Sequence, residues 1–265
     1  MDWESIILMC GMAAEIALIL LLIRGLVFKT FPAFFIYLCW SLFSDTLFYY
    51  VRVHYSLVIF YKVSYIQLAV DSAMIFALLV EVAWSVLRPI RNSLPKYSWI
   101  GIAVLIALGS LILWPISGLV APGDLSPAGM SFFRMEQTPA VVRAVFFLVL
   151  AAFSQVLSIG WRDRELQIAT GLGFYSIVSL TITVLHTHQA ARTQYQQFHW
   201  LDVFGAFSYL AALAYWVYCF ARQPAERREF TPQMHNMLLA VAGAARSTRV
   251  ALTDSSSGKA GKRRD

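Results

Sequence analysis

Seven stretches of this chain run for about twenty residues or more with almost no charge: approximately 5–23, 31–51, 63–86, 97–119, 139–160, 166–186 and 199–221. No other feature restricts the fold so severely. A helix of about 20 apolar residues is long enough to cross a hydrocarbon layer about 30 Å thick. Hydrocarbon offers the backbone no partner, so a spanning segment must be a helix or part of a closed barrel. These runs are continuous rather than alternating, which excludes the barrel. The expectation is an all-α, polytopic bundle of seven transmembrane helices.

Composition supports that expectation. The chain is 59% hydrophobic and 14% charged, against about 45–50% and about 25% in soluble domains. Its mean hydropathy is +0.64. The opening MDWES is acidic and carries no signal-peptide pattern, so the first run is expected to stay as a helix. Cys10, Cys39 and Cys219 all fall inside apolar runs, which predicts free buried thiols rather than disulfides.

Basic residues set the orientation. Of 21 Lys and Arg, sixteen fall on the side of Arg24, Lys29 and the C-terminal tail, and five on the other. The N-terminus is therefore expected outside and the C-terminus in the cytoplasm, across the inner membrane of a bacterium. The tail supplies most of the net charge of +6. Basic residues beside a membrane helix meet anionic lipid at about 1 kcal/mol each, so no nucleic-acid partner is expected.

Three regions follow. Residues 1–222 form the seven-helix domain. Residues 223–252 form a cytoplasmic juxtamembrane amphipathic segment, in which Met234, Met237, Leu238 and Val241 recur at helical spacing after Thr231-Pro232. Residues 253–265 form a disordered basic tail. Long outer loops are expected over 120–138, VAPGDLSPAGMSFFRMEQT, and over 187–198, THQAARTQYQQF.

Polar groups inside the runs carry the functional question. A carboxylate at a membrane helix centre costs about 2.5–3.5 kcal/mol on insertion scales. In the third run Ser64, Gln67, Asp71, Glu81 and Ser85 share an arc of about 100°. Such a stripe faces protein or water, as helix-to-helix glue or as a ligand, ion or proton site. Arg24, Arg88 and Arg162 are placed to neutralise Glu81. Asp45 and Arg143 lie at the depth of Asp71, so Arg143 is expected to pair with one of the two aspartates. Glu15 extends the same polar region. Ser176, Ser179, Thr183 and His186 share an arc of about 80° on the sixth helix. Trp40, Trp84, Trp114, Trp161 and Trp200 read as belt or packing residues.

His186, His188, His199 and Asp202 gather near the outer boundary and are acceptable zinc ligands, but their spacing matches no closed motif. Other chemical templates fail. The last run has no lysine for a Schiff base, and neither H-E-x-x-H, G-x-S-x-G nor a phosphate loop occurs. No catalytic residue and no cofactor is assigned, and the balance leans away from an enzyme. Gly171 and Gly173 read as close-packing positions.

The stretch from Glu136 through SIGWRDRELQIATGLGFYSIVSL resembles an uncharacterised group of bacterial seven-helix membrane proteins. The matching features are a Glu before the fifth helix, a W-R pair after it and a G-x-G entering the sixth. They fall on Glu136, Trp161, Arg162, Gly171 and Gly173. The third-helix ending E-V-A-W-S-V-L-R-P, with Glu81, is also similar. Where the group has Arg after the Glu, this chain has Gln137. The resemblance implies the fold and brings no activity with it.

The leading expectation is a receptor-like or sensory protein with an outward-facing pocket, built from Asp45, Gln67, Asp71, Arg143, Glu81 and Glu15. Its partners would be membrane lipid and a small-molecule or ion ligand. A small-solute or proton-coupled transporter is the alternative, with Asp71 and Glu81 as outer and inner stations. A third reading is an intramembrane metal-dependent hydrolase using the outer histidines.

Overall fold

The computed structural model describes residues 3–55, 57–87, 97–119, 121, 126–152, 163–189 and 195–222. The helices are α1 (Trp3–Arg24), α2 (Pro32–His54), α3 (Leu57–Val86), α4 (Ser98–Ser117), α5 (Pro127–Ala152), α6 (Arg164–Gln189) and α7 (Tyr195–Ala221). A 3-10 turn, Val27–Lys29, joins the first two, and no strand occurs among the described residues. Six of these helices are long and apolar enough to cross a membrane. In α2 the apolar stretch among the described side chains runs Pro32–Phe48. The proposed segment 223–252 and tail 253–265 lie outside the described residues.

One expectation needs correcting. Most of the expected 120–138 loop is helix, since α5 starts at Pro127. Ser126 caps it, its hydroxyl accepting the Gly129 N–H at 3.2 Å. Proline suits the first helical position because its missing N–H would be unpaired there anyway. The Ser126-Pro127 pair thus outweighs the loop signal of the neighbouring glycines and prolines. The cysteines are free, but Cys10 is exposed on the bundle surface and only Cys219 is buried.

Helices α1, α2, α3, α5, α6 and α7 form a ring, each packing on the next and α7 returning to α1. α4 stands outside it, against α3 and α5. Leu105, Leu108, Leu111 and Ile112 on α4 are exposed, an apolar face suited to lipid. One end of the bundle carries Arg24, Arg164 and Arg222, and we call it the basic end.

At the basic end a cavity of about 720 Å³ is lined by Arg24, Thr30, Phe31, Arg164, Phe220 and Arg222, and next to it the ring is packed. Leu22, Phe34, Leu78, Val82, Leu166 and Leu213 are fully buried there. The Phe34 ring meets Trp216 edge-on at 5.3 Å and stacks on Phe220 at 5.8 Å. Gly171 and Gly173 are the close-packing positions. A Cβ on the first would overlap the Trp216 indole, and one on the second the Phe147 ring. Small residues at helix contacts are how membrane bundles gain packing energy without a hydrophobic drive between helices.

Candidate functional site: a polar cavity away from the basic end

Four of the predicted pocket residues, Asp45, Gln67, Asp71 and Arg143, line one cavity of about 480 Å³ enclosed by α2, α3, α5, α6 and α7. Local helical spacing explains how. On α2, Tyr37, Ser41, Ser44 and Asp45 recur at intervals of three or four, so they share one face. Gln67 and Asp71 do the same on α3, and Glu136, Gln137, Ala140 and Arg143 on α5. Tyr175 and Ser179 enter from α6, and Gly205 and Tyr209 from α7.

The expected ion pair is absent. Asp71 instead accepts a 2.6 Å hydrogen bond from the Trp40 indole N–H, so Trp40 is no belt residue. The Arg143 guanidinium lies over the Tyr175 ring, 5.6 Å from its centroid, a cation–π contact. Tyr175 in turn meets Tyr209 edge-on at 5.5 Å. Arg143 is 8% exposed and its Nε has no hydrogen-bond partner among the described residues. Gln137 is 7% exposed and its Oε1 has none either. Leaving a buried polar atom unpaired costs about 1–3 kcal/mol, more for a charged group. Two such atoms in one cavity wall are a local excess of unmet hydrogen-bonding capacity. Asp45 and Glu136 add carboxyl groups that accept no hydrogen bond from the described residues.

Glu15 lies beneath the cavity rather than in its wall. It is fully buried, and one carboxyl oxygen accepts hydrogen bonds from Tyr209 Oη and, at 2.8 Å, from Ser41 Oγ. Ser41 and Tyr209 do line the cavity, so Glu15 joins α1, α2 and α7 under its floor. Its Oε2 has no partner among the described residues.

Glu81 is elsewhere. Its two oxygens accept the Ala33 and Phe34 backbone N–H groups at 2.8 and 3.0 Å. Phe31 at the start of α2 provides no side-chain cap, so Glu81 caps α2 from α3. A carboxylate there satisfies orphan donors and meets the positive end of the helix dipole. Among the described residues these two N–H groups hold the carboxylate, and no ion pair joins it to Arg24. Ser64 returns its hydroxyl to Phe60 O, and Ser85 donates to Glu165 at 2.7 Å. The single polar stripe of α3 therefore divides among a cavity, a helix cap and interhelical bonds.

The side chains of Arg88, Trp161, Arg162, His186, His188, His199 and Asp202 lie outside the described residues. Among the described ones no group of three His, Cys, Asp or Glu is placed to hold a metal ion. Sequence reasoning passed over Tyr37, Ser41, Gln137, Tyr175 and Tyr209 as cavity residues. The spacing of Tyr37, Ser41, Ser44 and Asp45 on α2 was the available signal.

Comparison with known proteins finds no matching family model, no matching curated protein and no matching solved structure. What the chain defines by itself is a class: a helical bundle with six helices fit to cross a membrane and a polar cavity among them.

Proposed function

We propose that this chain is a seven-span protein of a bacterial inner membrane, N-terminus outside and C-terminus in the cytoplasm, that binds a small polar ligand in the cavity and acts as a receptor or sensor. One observation carries the reading: Arg143 and Gln137 are each more than nine-tenths buried in the cavity wall, with polar atoms left unpaired. Ionisable side chains inside membrane helices face functional cavities by default, because lipid tolerates them so poorly. A ligand that completes those bonds removes the cost. The orientation rests on the Lys/Arg bias, and it makes the cavity outward-facing.

The test is thermal unfolding of the purified protein in detergent against a panel of ions and metabolites. A compound at a hundredfold excess over its Kd adds about 2.7 kcal/mol of stability. We expect such a compound for the wild type, with the shift lost in Arg143→Gln and in Asp71→Asn. If nothing on a broad panel stabilises the wild type and both variants simply melt earlier, the polar groups are packing devices.

A transporter is the second reading, supported by separate cavities toward the two ends of the bundle. Alternating access requires the packed residues between two such cavities to open in turn. Uptake of the stabilising compound into proteoliposomes separates the two, because a sensor binds without flux.

A further inference from the structure

A second cavity, of about 410 Å³, lies between α3, α4 and α5. Its walls include Phe76, Leu79, Ala107, Leu111, Trp114 and Val142. Leu111 and Trp114 are exposed on the outside of the bundle, so this cleft opens on the apolar perimeter. The three hydroxyl residues in its wall are self-satisfied: Ser72 bonds Leu68 O, Ser110 bonds Ile106 O, and Thr138 bonds Arg134 O. The cleft therefore offers no free hydroxyl. Ser72, Ile75 and Pro139 line both this cleft and the polar cavity, so the two are neighbours across a shared wall. Pro139 lacks an N–H, so the Met135 carbonyl loses its usual helical partner at that wall.

The polar cavity presents charge of both signs. Asp45, Asp71 and Glu136 supply three carboxyl groups, and Arg143 supplies the one guanidinium among its lining residues. A lone anion would face the carboxyl groups, and a lone cation would leave Arg143 unmatched. A head bearing one group of each sign meets both. We infer that the two cavities open into one another past Ser72, Ile75 and Pro139 and together take a zwitterionic, single-chain amphiphile, its head between Arg143 and the carboxyl groups and its hydrocarbon tail in the cleft beside α4. The inference rests on the ligand-binding reading above and names its ligand class. Such a molecule reaches the site sideways from the membrane, past the exposed face of α4.

The experiment titrates lysophosphatidylethanolamine into the purified protein in a non-ionic detergent, with binding read by native mass spectrometry and by the unfolding midpoint. Glycerophosphoethanolamine supplies the head without the tail, and a tail-matched monoacylglycerol supplies the tail without charge. Tail-matched lysophosphatidic acid and alkylamine carry one sign each. We expect the zwitterionic lipid to bind at least tenfold more tightly than every other probe. Arg143→Gln should weaken it at least tenfold. Ala107→Trp should do the same by filling the cleft, and Ala107 is exposed, so the bulk does not disturb the core. Leu111→Trp serves as a second block should the first variant fail to fold. Equal binding of glycerophosphoethanolamine would overturn the amphiphile and leave a soluble zwitterion, with the cavity reading intact. Equal binding of the single-sign lipids would overturn the charge matching. Failure of all these probes, beside another compound that stabilises wild type but not Arg143→Gln, defeats the inference alone. Failure of every compound defeats both readings.

Discussion

Toward the basic end, the polar groups of the interior close on one another: Glu81 on two α2 amides, Ser85 on Glu165, and the Trp216 indole on Gln167 O at 3.1 Å. Arg164 donates to carbonyls at and just past the end of α7, Cys219 O and Arg222 O, both at 3.0 Å, while its guanidinium lies 4.4 Å from the Phe220 ring centre. Away from that end, Arg143 Nε and Gln137 Oε1 have no hydrogen-bond partner among the described residues and lie in a cavity wall. One ring of helices builds both halves, so the difference is not one of architecture. It lies in whether a polar side chain meets a complementary group on the neighbouring helix. A half whose groups are matched holds the bundle together, and a half whose groups are unmatched keeps bonding capacity for something else.

That contrast can be broken experimentally, beginning where the effect is largest. Phe34→Ala removes the ring packed between Trp216 and Phe220, and we expect a loss of about 3 kcal/mol or more in reversible SDS unfolding. A loss below about 1 kcal/mol would mean the matched half is not the stabilising one. Next comes Glu81→Ala, which strips the cap from α2. The expected loss is about 1–2 kcal/mol, with faster amide exchange at Ala33 and Phe34 as the local signature.

Smaller effects belong to the cavity. Asp71→Asn keeps an acceptor for the Trp40 N–H, so unliganded stability should fall by under about 1 kcal/mol. Arg143→Gln should change it least, or raise it, since groups kept for function often cost stability. The same unfolding series measures both. A large destabilisation by Arg143→Gln would show that the guanidinium, through Tyr175, is structural after all, and the division into two halves would lose its meaning.

How far the sequence was legible differs between fold and site. Helix number and helix type followed from the apolar runs, because a membrane solvent leaves the backbone so few options. The start of α5 was missed, since the Pro and Gly around Ser126-Pro127 imitate a loop. In the site, Asp45, Gln67, Asp71 and Arg143 were legible because a charged or amide side chain in an apolar run is expensive and conspicuous. The tyrosines and Ser41 were not, because such residues are ordinary in membrane helices and only their shared face marks them.

Glu81 and Asp71 show where the boundary falls. Both are carboxyl groups on one stripe of α3, and periodicity alone treats them alike. Which groups a carboxylate meets depends on the helix packed opposite, and that is a long-range property: Glu81 lies 47 and 48 residues from the amides it caps, and Asp71 31 residues from Trp40. The sequence by itself determined that these helices exist and that α3 turns a polar face inward, through the solvation cost of charge in an apolar helix. Only the tertiary structure decided that one carboxyl closes a helix end while the other borders a cavity, because satisfaction of a polar group is settled by its neighbours in space.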